Sequence, residues 1–129
     1  MTKNLTNEEK QLFIGAQFSS ELNEFGDKYL GYFINGQKNG VGKISYKSGE
    51  KYTGNWQNNK YDGYGTLTKI NGDIYTGAFC NGFKHGLGSE SYTNKIKLEG
   101  EWFYDKPIGP GTFTWPNGAK LDVNWDNKS

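Results

Sequence analysis

Tyr52-Thr53-Gly54-Asn55-Trp56 is the stretch of sequence that decides the fold. Rings, polar residues and glycine alternate through it with a period of two, which is the pattern of a β-strand with two different faces. A polar connection at 57–62 leads to a second alternating stretch, Gly63-Tyr64-Gly65-Thr66-Leu67. The Asn71-Gly72 pair that follows is typical of a tight turn between antiparallel strands. The unit therefore predicts two short paired strands.

The same unit recurs along most of the chain. Its leading residue appears at Tyr29, Tyr52 and Tyr75, each 23 residues after the one before, and 17 of the 19 glycines fall within 29–120. Glycine inside a strand marks the close approach of another group. We therefore predict that each ring lies over the backbone of a neighbouring strand. The predicted core positions are Tyr29, Gly31, Phe33, Tyr52, Gly54, Trp56, Tyr75, Gly77, Phe79, Leu98, Gly100 and Trp102.

The repeat predicts an all-β fold, an elongated single-layer meander of about nine strands with one ring-bearing face. The opposite face, which carries Thr53 and Thr66, is expected to be polar and wet. The predicted organisation is an N-terminal cap with a degenerate first repeat, four complete units, and a truncated fifth unit with a tail. These segments are 1–28, then 29–51, 52–74, 75–97 and 98–120, and finally 121–129. Within the first segment, Thr6 to Glu9 has the spacing of a helix capping box, so a short helix is one alternative and a damaged repeat is the other.

Composition excludes several classes of protein. A chain of 129 residues has room for one ordinary domain, and its formal net charge is +1. All the basic residues apart from His85 are lysines, and the absence of arginine argues against a nucleic-acid reader. There is no signal-peptide pattern and no apolar run of the roughly 20 residues that a membrane span needs. A single cysteine, Cys80, cannot form an internal disulfide, so we predict that the protein is not secreted.

The unit resembles the MORN (membrane occupation and recognition nexus) repeat, in which a Tyr-x-Gly-x-Trp/Phe strand precedes Gly-x-Gly-x-Leu and a closing Gly. Residues 52–56 and 63–67 match that pattern position by position. Later units depart from it, because Leu98 and Leu121 replace the leading Tyr and Glu90 stands at an otherwise apolar position. The resemblance implies an elongated β-hairpin solenoid that is not catalytic and that serves in assembly or membrane association.

No set of residues predicts chemistry. His85 is the only histidine, and no Ser or Cys accompanies it at a spacing that suggests a nucleophile and a base. One His and one Cys cannot supply the three or four ligands of a thiolate and imidazole metal site. The Gly-x-Gly pairs open no helix and are followed by no Gly-Lys-Ser/Thr, so they do not predict a phosphate loop. We expect no catalytic, cofactor or metal site, and hence no enzyme.

Two groups of residues in the predicted loops are candidate interaction sites. Aromatic or apolar residues at exposed hairpin tips predict partner contacts, and the last strand offers an edge to which a partner strand or a second copy could pair. These partner-binding candidates are Phe83, Phe103, Tyr104, Ile108, Leu121, Val123 and Trp125. A row of loop lysines, roughly one in each unit, is a weaker candidate for contact with an anionic surface. Its members are Lys38, Lys60, Lys84 and Lys106.

These features lead to a functional hypothesis. We expect a cytoplasmic, non-catalytic scaffold subunit that binds other proteins of a cytoskeletal or ciliary (axonemal) assembly and no nucleic acid. The Asn- and Lys-rich, arginine-free composition is typical of an AT-rich genome such as that of a protist, which favours a ciliary setting. The first alternative is a module that binds phosphoinositide membranes. The second alternative is an accessory subunit of a mitochondrial complex.

Overall fold

The computed structural model describes residues 15–126, which form one sheet of ten strands. Each strand pairs antiparallel with the strand before it, so spatial order equals chain order. The strands are β1 (Ala16–Leu22), β2 (Lys28–Ile34), β3 (Gln37–Ser45), β4 (Lys51–Gln57), β5 (Lys60–Thr68), β6 (Ile74–Cys80), β7 (Phe83–Ser91), β8 (Lys97–Phe103), β9 (Lys106–Thr114) and β10 (Lys120–Asn124). The described part of the chain contains no helix. The predicted all-β meander is confirmed.

The additional strand relative to the prediction is β1. Its sequence has Gln17 and Ser19 where the later units have glycine, so the repeat is hard to see there. β1 nevertheless pairs with β2 over its whole length, from Ala16 opposite Ile34 to Leu22 opposite Lys28. The helix considered near Thr6 lies outside the described residues.

Two kinds of turn alternate along the sheet. In the closing turns the first residue makes two backbone hydrogen bonds, as when Lys69 N donates to Asp73 O at 2.8 Å and Lys69 O accepts from Gly72 N at 2.9 Å. The hairpin tips at 35–36, 58–59, 81–82 and 104–105 have two successive residues with positive φ. That backbone follows the right-handed twist of the paired strands, and it favours Asn and Gly.

One face of the sheet carries the core, and we call it the ring face. Tyr52 and Tyr75 are completely buried, and the other six apolar core residues are at most 5% exposed. The rings meet edge to face between units, for example Tyr52 with Phe79 at 5.3 Å and Tyr75 with Trp102 at 5.2 Å between ring centroids. The buried apolar residues are Tyr29, Ile44, Tyr52, Trp56, Tyr75, Phe79, Leu98 and Trp102. This single-layer sheet thus obtains a core from its own side chains.

Each core tyrosine lies flat over a pair of glycines. A Cβ placed on Gly65 would overlap the Tyr52 hydroxyl, and a Cβ on Gly88 would overlap the Tyr75 hydroxyl in the same way. Because the ring extends past the glycines, its hydroxyl meets a backbone carbonyl, and Tyr52 Oη donates a hydrogen bond to Asn55 O at 2.7 Å. The predicted reason for the glycines, close approach by a ring, is the one that the structure shows.

The opposite face, which we call the outer face, differs from the polar surface that the sequence predicted. Thr53 and Thr76 are exposed there as expected. However, Val41, Tyr64 and Leu87 lie beside them in consecutive units and are 57%, 64% and 66% exposed. The outer face therefore carries an exposed apolar row that runs across the strands.

A comparison of two glycines tests the tyrosine contact. Gly88→Ala should lower the free energy of unfolding by about 1–3 kcal/mol, because the new methyl group overlaps the Tyr75 hydroxyl. Gly111→Ala, at the same position one unit later, should cost less than about 1 kcal/mol, because Leu98 replaces the tyrosine and the nearest atom lies 3.2 Å away. Urea unfolding followed by circular dichroism measures both values.

The control is the pair of changes Tyr75→Leu and Gly88→Ala in one protein. Once the ring is absent, Gly88→Ala should cost no more than Gly111→Ala, which is a strong departure from additivity. Equal costs for Gly88→Ala with and without Tyr75 would contradict the explanation.

Candidate interaction surfaces

Hydrogen bonds between neighbouring hairpin tips hold the tips in a row. Asp105 N donates to Lys84 O at 2.9 Å, and Lys84 N donates back to the Asp105 carboxylate at 2.8 Å. Asn59 and Lys38 form the same reciprocal pair. Since strand pairing and these bonds both fix the tips, their side chains have defined positions.

Four rings form a cluster on the tips of β6–β9, and we call it the tip cluster: Phe83, His85, Phe103 and Tyr104. Tyr104 is central, with its ring centroid 5.6 Å from Phe83, 4.6 Å from His85 and 4.7 Å from Phe103. Phe83, Phe103 and Tyr104 remain 44%, 53% and 47% exposed. The rings therefore pack over the adjacent hairpin and also present an apolar surface to solvent.

The backbone at Tyr104 is unusual for a large residue. Its φ is 45°, whereas the same turn position is Asn35, Asn58 and Asn81 in the earlier units. Asparagine tolerates this left-handed region, while other L-residues are strained there by roughly 1–2 kcal/mol. The Tyr104 N–H donates to Nδ1 of His85 at 3.3 Å, which fixes the tip backbone against the imidazole. A strained conformation thus holds an exposed ring.

The other predicted partner-binding residues lie elsewhere. Ile108 is half-buried on β9, outside the four rings of the tip cluster. Leu121 on β10 and Trp125 just after it are about half exposed, and Val123 between them is half-buried. Trp125 N donates to Gly109 O at 2.9 Å, and its ring approaches Phe113 at 6.3 Å. The structure therefore separates these residues into the tip cluster, Ile108 on β9, and a group on and just after the last described strand.

The four loop lysines do not form one row. Lys38 and Lys84 turn onto the ring face, where their side chains are only 17% and 12% exposed. The Lys38 ammonium lies 5.2 Å from the centroid of Tyr29, and the Lys84 ammonium lies 5.5 Å from that of Tyr75. Lys60 and Lys106, one position earlier in the repeat, are exposed. Two of the four are therefore held by rings, and an anionic surface could meet only the remaining pair.

A buried carboxylate was not anticipated. Glu90 takes the place of Ile44 and Leu67 on the ring face and is 6% exposed. Its carboxylate accepts from Lys69 Nζ at 2.8 Å and from Tyr92 Oη at 3.2 Å, and Lys84 Nζ lies 3.4 Å away. Burial alone would raise the pKa of Glu90, but the hydrogen bond from Lys69 and the charges of Lys84 and Lys69 outweigh it and lower the pKa below its usual value. The group is therefore ionised and paired.

The described residues do not assemble the ligand set of a metal site. No group of three or more His, Cys, Asp or Glu within 15–126 could hold a metal ion. Cys80 is a free, half-buried thiol. No helix among the described residues is long and apolar enough to cross a membrane. What the surface offers instead is exposed rings on the tips and an apolar row on the outer face.

Comparison with known families assigns the repeats. The model of the MORN repeat family matches this chain four times, at residues 29–51, 52–74, 75–96 and 99–120, which is more than half of its length. No curated protein matches.

One similar solved structure is the SAS-4 (dCPAP) TCP domain in complex with a proline-rich motif of Ana2 (dSTIL) of Drosophila melanogaster. The sequence identity is 14% and the TM-score is 0.47, over 81% of this chain and 70% of that one.

The Glu90 cluster predicts acid sensitivity. The pKa of Glu90 is lower in the folded protein than in the unfolded chain, so its contribution to stability is present above the unfolded pKa and is lost as pH falls through the folded pKa. We expect Glu90→Gln to cost about 1–3 kcal/mol at neutral pH, because Lys69 and Lys84 lose their charged partner. The variant should also lose less stability than the wild type between about pH 6 and pH 3. Urea unfolding across pH measures both effects.

A matched variant replaces the three residues of the Glu90 cluster by those found 23 residues earlier in the chain. Tyr46, Tyr61 and Leu67 occupy there the positions of Lys69, Lys84 and Glu90. The triple change Lys69→Tyr, Lys84→Tyr and Glu90→Leu should therefore fold with stability near or above that of the wild type. Parallel pH profiles of the wild type and Glu90→Gln would contradict the assigned role of Glu90.

Proposed function

We propose, from the premise that this chain belongs to the MORN repeat family, that it is a non-catalytic protein-interaction subunit of a larger assembly. MORN repeats are generally modules for interaction with proteins or membranes. This chain acts as a module that binds proteins, and the tip cluster is its contact site.

The observation that carries the proposal is Tyr104. An exposed ring held by a strained backbone has no evident benefit for the fold, because asparagine satisfies the same turn in three other units. Tyrosine and other rings are enriched among the residues that dominate binding energy at protein interfaces. Phe83 and Phe103 extend the same exposed surface on both sides. The tips of β6–β9 thus combine a preorganised shape with apolar area.

The positions of the lysines favour a protein partner over a lipid surface. Binding to an anionic membrane needs several cations facing the same way, each worth about 1 kcal/mol near the surface. Lys38 and Lys84 instead lie over rings, and the Lys84 charge is already paired with Glu90. A tip surface with Lys60 and Lys106 as its remaining loop lysines would attract such a membrane weakly.

The setting that we propose is a cytoskeletal or ciliary assembly. An elongated sheet of repeated hairpins can carry contact sites at defined separations along its length, as a structural assembly requires. The resemblance of this repeat array to small MORN-repeat proteins of such assemblies supports the same setting.

The substitution Tyr104→Asn tests whether Tyr104 serves in partner binding or in the stability of the fold. The change relieves backbone strain and removes ring contacts, so the net effect on stability should stay within about 1 kcal/mol. If Tyr104 is an interface hot spot, partner affinity should fall about 30-fold or more. Quantitative pull-down with the full chain as bait, followed by titration of the recovered partner, measures the affinity, and thermal unfolding measures the stability.

Phe25→Asn is the matched control, because Phe25 is an exposed ring in a closing turn far from the tip cluster. It should leave partner recovery unchanged, whereas Phe83→Asn should reduce recovery as Tyr104→Asn does. Equal recovery with wild type, Tyr104→Asn and Phe83→Asn would contradict the proposed contact site.

The setting has its own test. A tagged copy in a ciliated cell should fractionate with axonemes after detergent extraction, and Tyr104→Asn should shift it toward the soluble fraction. Recovery with mitochondria, or complete release by detergent with the membrane fraction, would contradict a cytoskeletal setting.

A further inference from the structure

The outer face of β1–β5 concentrates positive charge. Lys28, Lys43 and Lys51 are exposed there and lie close together, because Lys28 and Lys51 both pair with Ser45 and Lys43 lies two residues before it. The outward positions that surround them are occupied by serine, threonine and apolar residues. Asp62, toward the hairpin tips, accepts a hydrogen bond from Asn81 N at 3.1 Å. The outer face of β8–β10 is different, since it carries Glu99, Glu101 and Asp122.

An exposed apolar row borders the lysines. Phe18 opposes Tyr32 with ring centroids 5.2 Å apart, and Val41 and Tyr64 continue the row toward β5. Leu22, opposite Lys28, and Leu30, between Lys28 and Tyr32, line a cavity of about 380 Å³ whose other lining residues include Glu21, Lys28 and Lys43. Positive charge and apolar surface thus form two neighbouring bands, the lysines on β2, β3 and β4 and the apolar row on β1, β2, β3 and β5, with Lys43 the lysine nearest to the row. We call this surface the basic apolar face.

We propose that the basic apolar face binds an acidic amphipathic α-helix of a partner protein. Strands in the middle of a sheet direct their backbone groups at each other, so the face offers no hydrogen bonds to a partner backbone. A partner lying on it must satisfy its own backbone, which a helix does. Acidic residues on one flank would meet the lysines, and apolar residues on the other flank would meet the row from Phe18 to Tyr64.

The dimensions of the face match a helix. From Lys28 to Tyr32 the two bands are four residues apart along a strand, or roughly 13 Å, close to the width of a helix with its side chains. Lys28 and Lys51 are separated by two strand spacings, roughly 9.6 Å. Acidic residues seven positions apart on a helix are separated by about 10.5 Å. A helix crossing the strands can therefore place one carboxylate over each of these lysines.

This surface is distinct from the tip cluster, and the two can be tested separately. The probe is a fluorescein-labelled amphipathic helical peptide of about 18 residues, with Leu on one face and Glu along one flank. Fluorescence anisotropy at about 0.15 M salt should show saturable binding to the full chain. The triple change Lys28→Glu, Lys43→Glu and Lys51→Glu should weaken it about tenfold or more. Tyr104→Asn should leave this affinity unchanged.

The matched control is Lys60→Glu, Lys106→Glu and Lys120→Glu, which alters the net charge by the same amount at exposed positions away from the three lysines of the face. It should change the affinity less than about threefold. A peptide with Lys in place of Glu should bind the charge-reversed face better than the wild-type face. Val41→Ser with Tyr64→Ser should weaken the original peptide while all lysines remain. Thermal unfolding establishes that each variant is folded.

Several results would overturn the proposal. They are the absence of saturable binding, equal binding of the Glu and Lys peptides by the wild type, and equal losses in the two triple variants. Phosphatidylserine vesicles provide the comparison with a lipid surface. If the protein binds these vesicles through Lys28, Lys43 and Lys51 and does not bind the peptide, the ligand of the face is a membrane and the proposal of a helix is wrong.

Discussion

The contact between a tyrosine ring and two glycines is the constraint on which the whole structure depends. Tyr29, Tyr52 and Tyr75 lie over glycine pairs of adjacent strands, and each hydroxyl donates to a backbone carbonyl three residues later. Removing the Cβ atoms brings the ring onto the backbone, and the hydrogen bond satisfies the hydroxyl that would otherwise be buried alone. Burial raises the pKa of Tyr29 and Tyr75 to about 12, so these donors stay protonated over the physiological range.

A sheet normally needs a second layer to bury one of its faces. In this protein the rings supply that layer, because each core tyrosine packs against a Trp or Phe ring of the next unit. The ring face also accommodates charge at the position where Glu90 replaces an apolar residue of the repeat. Lys84 lies over Tyr75 and pairs with Glu90, so a carboxylate at an apolar position becomes part of the core without an unpaired buried group among the described side chains.

Periodicity predicted the fold because ring, glycine and turn positions recur in fixed register, so that the face of each strand follows from any one unit. The positions of side chains that do not recur in every unit were harder to predict from the sequence. Lys38 and Lys60 are 22 residues apart and so occupy different repeat positions, which a search for one lysine in each loop overlooks. The sequence did not predict the apolar row on the outer face. Val41, Tyr64 and Leu87 each stand between two glycines, and those glycines are explained by the ring face alone. Tyr104 was predicted to be exposed, but its backbone strain is visible only in three dimensions.

The direction of the strands also determines how the molecule responds to force. All ten strands run across the long axis, and their hydrogen bonds run along it, as do the bonds between neighbouring tips. A load that pulls the two ends apart acts in line with these bonds and can separate one strand at a time, beginning at an end. A load that pushes the ends together presses neighbouring backbones onto rings that already touch. The architecture is therefore mechanically a strut and a spacer, and a poor tether.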